Sequence, residues 1–320
     1  MQNEILSGGS SSSSKSLWLY AAWLPVMLLL ISCGGTASTA SNSSSGDTSY
    51  ATVYKTLTWG SGTTVTFPTT CTMTVTANGV PQYHAAYYLA PTSSAAVTGV
   101  VATTPSGLQL AVTPYTASSI TSSTNTLNIC PTKASSTTST NMGPIGYIIS
   151  GEFLYNAFEA TSTAALGDNV SYSYTTGGNT YTASFIDTCN SHPTPVTSGY
   201  TWHYHGVPLC VTAATDGTGA SHIIGIALDG YPVYGGRDIN GNVITTSQLD
   251  ACNGITSATP EFPNGAYHYV LPLNTTNKYS SMNCYTGTVS GTLMAEMRKK
   301  ACKMRDGKYN RMKNNMKMGM

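Results

Sequence analysis

Two stretches of this 320-residue chain repeat one another, and an internal duplication narrows the choice of fold more than composition does. The first holds Ile145-Gly146, Gly151 and Tyr155; the second holds Ile224-Gly225, Gly230 and Tyr234 at the same relative spacing. Each continues with Asp-x-Cys-Asn, at Asp187-Thr188-Cys189-Asn190 and at Asp250-Ala251-Cys252-Asn253. An aromatic-His-Tyr string follows in both, Trp202-His203-Tyr204-His205 and Tyr267-His268-Tyr269-Val270, and each stretch closes on a cysteine, Cys210 or Cys284. This order predicts two related halves, about 143–210 and 222–287, packed about a pseudo-twofold axis. A site is expected where the halves meet.

The body is rich in Thr, Val, Tyr and Ser, and β-branched and aromatic side chains fit a pleated, half-buried surface. The expected fold is therefore all-β or strand-dominated: one body of two repeated halves, cross-linked by disulfides. Alternate strand residues share a face, so His203 and His205 are expected on one side and Trp202 and Tyr204 on the other. Six of the eight cysteines lie in the body, and six cysteines allow fifteen pairings. The repeat favours Cys189 with Cys210 and Cys252 with Cys284, which leaves Cys71 with Cys130. No CxxC spacing supports a thiolate metal site.

The two ends differ from the body. Residues 17–31 form an apolar run preceded by Lys15, shorter than the roughly 20 residues that span a bilayer and interrupted by Pro25. Leu30-Ile31-Ser32-Cys33 resembles a bacterial lipobox, so 1–33 is expected to be a signal peptide whose Cys33 is lipidated. Gly34 carries no Asp-type inner-membrane retention signal, so an outer-membrane or cell-surface location is expected in a Gram-negative host. Residues 34–49 read as a flexible Ser/Thr/Gly tether, and 50–290 as the folded body. The tail, 291–320, carries nine of the fourteen Lys and Arg and seven of the twelve Met. It is expected to meet anionic lipid or polymer, with a short amphipathic helix over 292–304. Its thioethers suit Cu(I). A formal net charge of +1 suggests no nucleic-acid partner.

The ordered segments NGVPQYH (78–84), DTCNSHPTPVTSGYTWHYHGVPLC (187–210), SHIIGIALDGYPVYGG (221–236), LDACNG (249–254), GAYHY (265–269) and NCYTG (283–287) resemble the YHYH domain family. The resemblance covers roughly 65–290. It implies a secreted or envelope protein and no particular activity. The chain departs from the name motif at Trp202, and at Val270, where a fuller second string would end in His.

The six histidines all lie in motif segments: His84, His192, His203, His205, His222 and His268. Paired imidazoles on one strand face suit a transition metal such as copper or zinc. The expected ligands are His203, His205 and His268, with His192 as the fourth; Asp187, Asp229 and Asp250 are expected to fix the ring tautomers. His84 and His222 are expected to be structural or exposed. A hydrogen-bonded network of histidines and tyrosines is the competing reading. GxSxG, HExxH and a Gly-rich phosphate loop are all absent from the sequence. Asp238–Asn242 recapitulates part of a calcium loop but reads better as a hairpin turn around Asn240-Gly241, since position 249 is Leu. A non-catalytic, metal-binding envelope lipoprotein is the leading expectation, copper ahead of zinc. A structural or adhesive surface module without metal is the alternative, and a metal-dependent oxidase or hydrolase the third.

Overall fold

The computed structural model describes residues 46–80, 109–110, 120–140, 142–158, 164–167, 171–176, 179–184, 186, 189–196, 199–209, 211 and 219–300. The expected signal peptide, Cys33, His84, Asp187, Cys210 and the tail beyond residue 300 lie outside these residues.

A short helix, α1 (Thr48–Tyr54), opens the fold, with Asp47 accepting a cap hydrogen bond from the Ser49 amide at 2.9 Å. Strands follow: β1 (Thr63–Thr69), β2 (Thr72–Ala77), β3 (Gln109–Leu110), β4 (Ser123–Asn128), β5 (Lys133–Ser139), β6 (Pro144–Ile148), β7 (Phe153–Tyr155), β8 (Ser171–Thr176) and β9 (Asn179–Ser184). The second part adds β10 (Ser191–Val196), β11 (Gly199–Tyr204), β12 (Ile223–Ala227), β13 (Pro232–Tyr234), β14 (Gly254–Ser257), β15 (Ala266–Val270) and β16 (Cys284–Gly287). The fold is strand-dominated, as expected.

Eight strands form one sheet in the order β10-β11-β7-β6-β12-β13-β15-β14. Read from either end, the sequence of pairings is the same: an antiparallel hairpin, a parallel step, then an antiparallel step inward. The antiparallel β6–β12 pair is the centre, with Tyr147 opposite Ile226, Ile148 opposite Gly225 and Gly146 opposite Ala227. Two reciprocal hydrogen bonds flank it, Ile149 N to Ile224 O (2.9 Å) and Leu228 N to Ile145 O (3.0 Å). This is the expected pseudo-twofold, with its axis between Tyr147 and Ile226. Gly146 and Gly225 show why the repeat needs glycine there. A Cβ on Gly146 would lie 2.8 Å from the Ile226 carbonyl oxygen, and one on Gly225 would lie 2.5 Å from that of Tyr147.

β6 and β12 are buried along their whole length, which explains their unbroken apolar runs. The separate β1-β2-β4 sheet alternates, turning Met73, Val75 and Leu127 into the same core and Thr64, Thr76, Thr124 and Thr126 outward. Buried tyrosines keep partners for their hydroxyls: Tyr54 donates to Gly230 O at 2.7 Å and Tyr285 to Ile145 O at 3.3 Å, while Tyr147 meets Ser123 Oγ at 3.0 Å. Disulfides join Cys71 to Cys130 and Cys252 to Cys284. Cys189 is also disulfide-bonded; its expected partner, Cys210, falls outside the described residues.

The fold extends past both expected limits of the body. Tyr50, Ala51 and Tyr54 of α1 are buried, so the last residues of the expected tether cap and begin a packed helix. A helix over 291–300 buries Leu293 and Met297 in the core, so the start of the tail is part of the folded body. Asp238–Asn242 is a turn: the Asp238 carboxylate accepts from the amides of Asn240 (2.9 Å) and Asn242 (2.8 Å), beside the Arg237–Val243 bridge.

Candidate metal centre

The β10–β11 hairpin sets His192 directly across from His203. β11 runs parallel to β7 with His203 beside Phe153 and Tyr204 beside Leu154, so His205, one residue past β11, arrives next to Tyr155 and Asn156. Three imidazoles meet there. His205 Nε2 stands 3.2 Å from His192 Nε2 and 3.0 Å from His203 Nε2. All three side chains are buried, and each offers a nitrogen within 4.8 Å of the others.

The other ring nitrogens face backbone oxygens: His205 Nδ1 lies 2.7 Å from Asn156 O, His192 Nδ1 3.2 Å from Pro193 O and His203 Nδ1 3.3 Å from Thr201 O. A carbonyl oxygen only accepts, so a neutral ring in this position carries its proton on Nδ1 and leaves the Nε2 lone pair pointing inward. Between two neutral rings, an Nε2–H···Nε2 bond would strip one Nδ1 of its hydrogen and set it against a carbonyl lone pair. A cation relieves three converging lone pairs instead. With metal–nitrogen bonds of about 2.0–2.1 Å, two ligands of a tetrahedral ion stand roughly 3.3 Å apart. The spacings of 3.0 and 3.2 Å are close to that edge.

The rings are held from several sides. Tyr155 stacks on His203 with centroids 3.8 Å apart and planes at 18°, and meets His205 edge-on at 5.9 Å. Asn190 O accepts from the His205 amide at 3.1 Å. The segment before β16 reaches over from the second half: Ser280 Oγ donates to His205 O (2.9 Å) and Ser281 Oγ to Tyr155 O (2.6 Å). Asn253 Nδ2 holds that segment through Tyr279 O (2.7 Å) and Ser281 O (3.1 Å).

Of the four expected ligands, the structure brings together His192, His203 and His205 and places His268 elsewhere. His268 lies on β15, five inter-strand steps from β11, which at about 4.8 Å each is roughly 24 Å. There its Nδ1 faces Ala266 O at 3.0 Å, its ring packs on Tyr234 with centroids 4.7 Å apart, and burial holds its pKa below the ordinary value. The cluster therefore belongs to one half and not to the junction of the two.

The two described acids expected to orient the rings do other work. Asp229 is buried among tyrosines and accepts from Tyr269 Oη (2.6 Å) and from the amides of Gly287 (2.9 Å) and Tyr231 (3.4 Å). Burial pushes its carboxyl up to about 6. Asp250 caps the turn into β14, accepting from the amides of Cys252 and Gly254, both at 2.8 Å, and from Tyr267 Oη at 2.9 Å. In their place backbone carbonyls orient the imidazoles. His222 is exposed as expected, 2.8 Å from a Glu261 oxygen. Tyr155 is the contact that sequence reasoning left out, although it is the final residue of the repeated IGxxxxGxxxY motif.

A model of the family described as YHYH protein matches residues 124–243 and 239–287 of this chain. No curated protein and no solved structure matches it.

Proposed function

The chain belongs to the YHYH protein family, and from that premise we propose that it is a non-catalytic, metal-binding lipoprotein of the bacterial cell envelope, holding one transition-metal ion through His192, His203 and His205. The single observation that carries the reading is the shared orientation of the rings, with Nδ1 of each toward a carbonyl and Nε2 of His192 and of His203 both against Nε2 of His205. Copper is favoured over zinc because the affinity of a nitrogen site for divalent ions peaks at Cu(II). Apart from Met294 and Met297, which pack in the body, the methionines of 291–320 add soft ligands that suit Cu(I).

Disulfide-bonded cysteines fit an oxidising compartment outside the cytoplasm. The lipobox-like Leu30–Cys33 supplies the membrane anchor, and the basic tail a contact to anionic lipid or polymer. In a Gram-negative host the anchored body stands at the outer membrane or cell surface.

The test is metal retention. Chain loaded with Cu(II) and passed through a desalting column is expected to keep one copper, with nitrogen hyperfine structure in its electron paramagnetic resonance spectrum. Excess zinc should not displace it. A wild-type chain that retains no metal, or a folded His192→Ala/His205→Ala chain that retains copper as well as wild type, would sink the reading. Labelled palmitate should enter the wild-type chain and not Cys33→Ser; label in both refutes lipidation at Cys33.

A further inference from the structure

We infer that the second half contains the same metal pocket with two of its three imidazoles exchanged for aliphatic side chains, so that the duplicated body holds one ion and its second pocket is latent. This inference rests on the metal reading of the His192–His203–His205 cluster.

The two frames correspond bond by bond. Asn190 and Asn253 each follow a disulfide-bonded cysteine, and both adopt left-handed backbone, at φ 67° and 65°. The carbonyl of each accepts the amide that ends the aromatic-His-Tyr string, His205 N to Asn190 O at 3.1 Å and Val270 N to Asn253 O at 2.8 Å. In the hairpins, His192 pairs with His203 and Ile255 with His268. Beside the hairpins, Tyr204 pairs with Leu154 and Tyr269 with Val233 on parallel strands. Ile255 therefore stands where His192 does, and Val270 where His205 does.

His268 repeats the backbone contact and the tyrosine partner of His203, although its ring is tilted at 58° to Tyr234 where His203 stacks at 18° on Tyr155. Each ring turns Nδ1 to the carbonyl two residues back, Thr201 O at 3.3 Å or Ala266 O at 3.0 Å. Each packs on the tyrosine that ends the neighbouring parallel strand, Tyr155 at 3.8 Å or Tyr234 at 4.7 Å. The histidine-on-tyrosine pair thus exists with and without imidazole companions and is part of the scaffold. His192 and His205 are what the first half adds to it. Ile255 and Val270 carry no donor atom, so the second pocket keeps a single imidazole, with the Glu261 carboxylate bonded to the tyrosine on which that ring packs.

The test exchanges the pockets in the full chain and counts copper per chain after desalting. Wild type should hold one ion. His192→Ile/His205→Val should hold none and melt within a few degrees of metal-free wild type. Adding Ile255→His/Val270→His to that variant should restore one ion, and making only those two changes in wild type should give two.

A folded exchange variant that holds no copper overturns the inference, provided wild type holds one. So does an Ile255→His/Val270→His chain that loses its cooperative melt with and without copper, because the frame is claimed to accept a triad. Loss of the cooperative melt in His192→Ile/His205→Val also overturns it, because that variant copies the second half into the first. A wild type that holds two ions refutes the latency. One that holds none removes the metal reading itself, and that outcome is seen before any variant is made.

Discussion

Asp229→Asn is expected to change how stability depends on pH while leaving copper retention untouched. Asp229 is fully buried, and burial raises its carboxyl from the usual 3.8 to about 6 in the folded chain. The titratable groups facing it are Tyr269, Tyr231, Tyr267, Tyr54 and Tyr285, all of them raised and none ionising below pH 9. Between the two carboxyl values the native state binds more protons than the unfolded state, so stability falls as pH rises from about 4 through about 6. A difference of about two units is worth on the order of 3 kcal/mol, fully lost above the folded value. Asparagine keeps an acceptor for the Tyr269 hydroxyl without a charge to bury. Urea unfolding of disulfide-intact, chelator-treated wild type and variant at pH 4.5, 6 and 7.5 isolates this group, because the histidines titrate alike in both chains. The variant should gain on wild type by roughly 2 kcal/mol across that range, because part of the loss already lies below pH 4.5. A difference that stays constant within about 0.5 kcal/mol would refute the assignment of a raised, neutral Asp229.

Three further outcomes follow from the same geometry. Gly146→Ala and Gly225→Ala should each cost about 1–3 kcal/mol in urea unfolding, because both force a methyl group against a facing carbonyl; a large cost at one and none at the other would count against the pseudo-twofold. Replacing Cys252 and Cys284 together by serine opens a loop with a sequence separation of 32 and should cost about 3–4 kcal/mol, read as an earlier urea midpoint. Copper at about 100 times its dissociation constant should stabilise the chain by roughly 2.7 kcal/mol and raise the melting temperature by about 5–10 °C; an equal rise in His192→Ile/His205→Val would place the ion elsewhere.

The duplication and the two described disulfide pairs are legible in the sequence because motif order survives whatever the strands do in space. The site is legible only in part. His203 and His205 share a face through strand alternation, which two residues suffice to show. His192 joins them through hairpin register, a property of pairing that motif spacing does not encode, so it reads only as a fourth candidate. His268 is misplaced for a geometric reason. A twofold passing through a sheet brings together equivalent residues near the axis, such as those of β6 and β12, and drives apart those near the edges, where both His-Tyr strings lie. Asp229 and Asp250 look like tautomer partners because they are acids in motif segments. The atoms that fill that role, the carbonyls of Asn156, Pro193 and Thr201, have no side-chain identity to read.

The strands at the centre of the eight-stranded sheet bond across the pseudo-twofold, so neither repeat owns a complete boundary. Separated from its counterpart, each would present a bare row of amides and carbonyls along β6 or β12, a template that recruits another chain. A lone repeat is therefore expected to pair with a second copy of itself, and joining two repeats in one polypeptide makes that partnership permanent. Within one polypeptide the two repeats need not match, so one can carry three imidazoles while the other carries aliphatic side chains at two of the equivalent places.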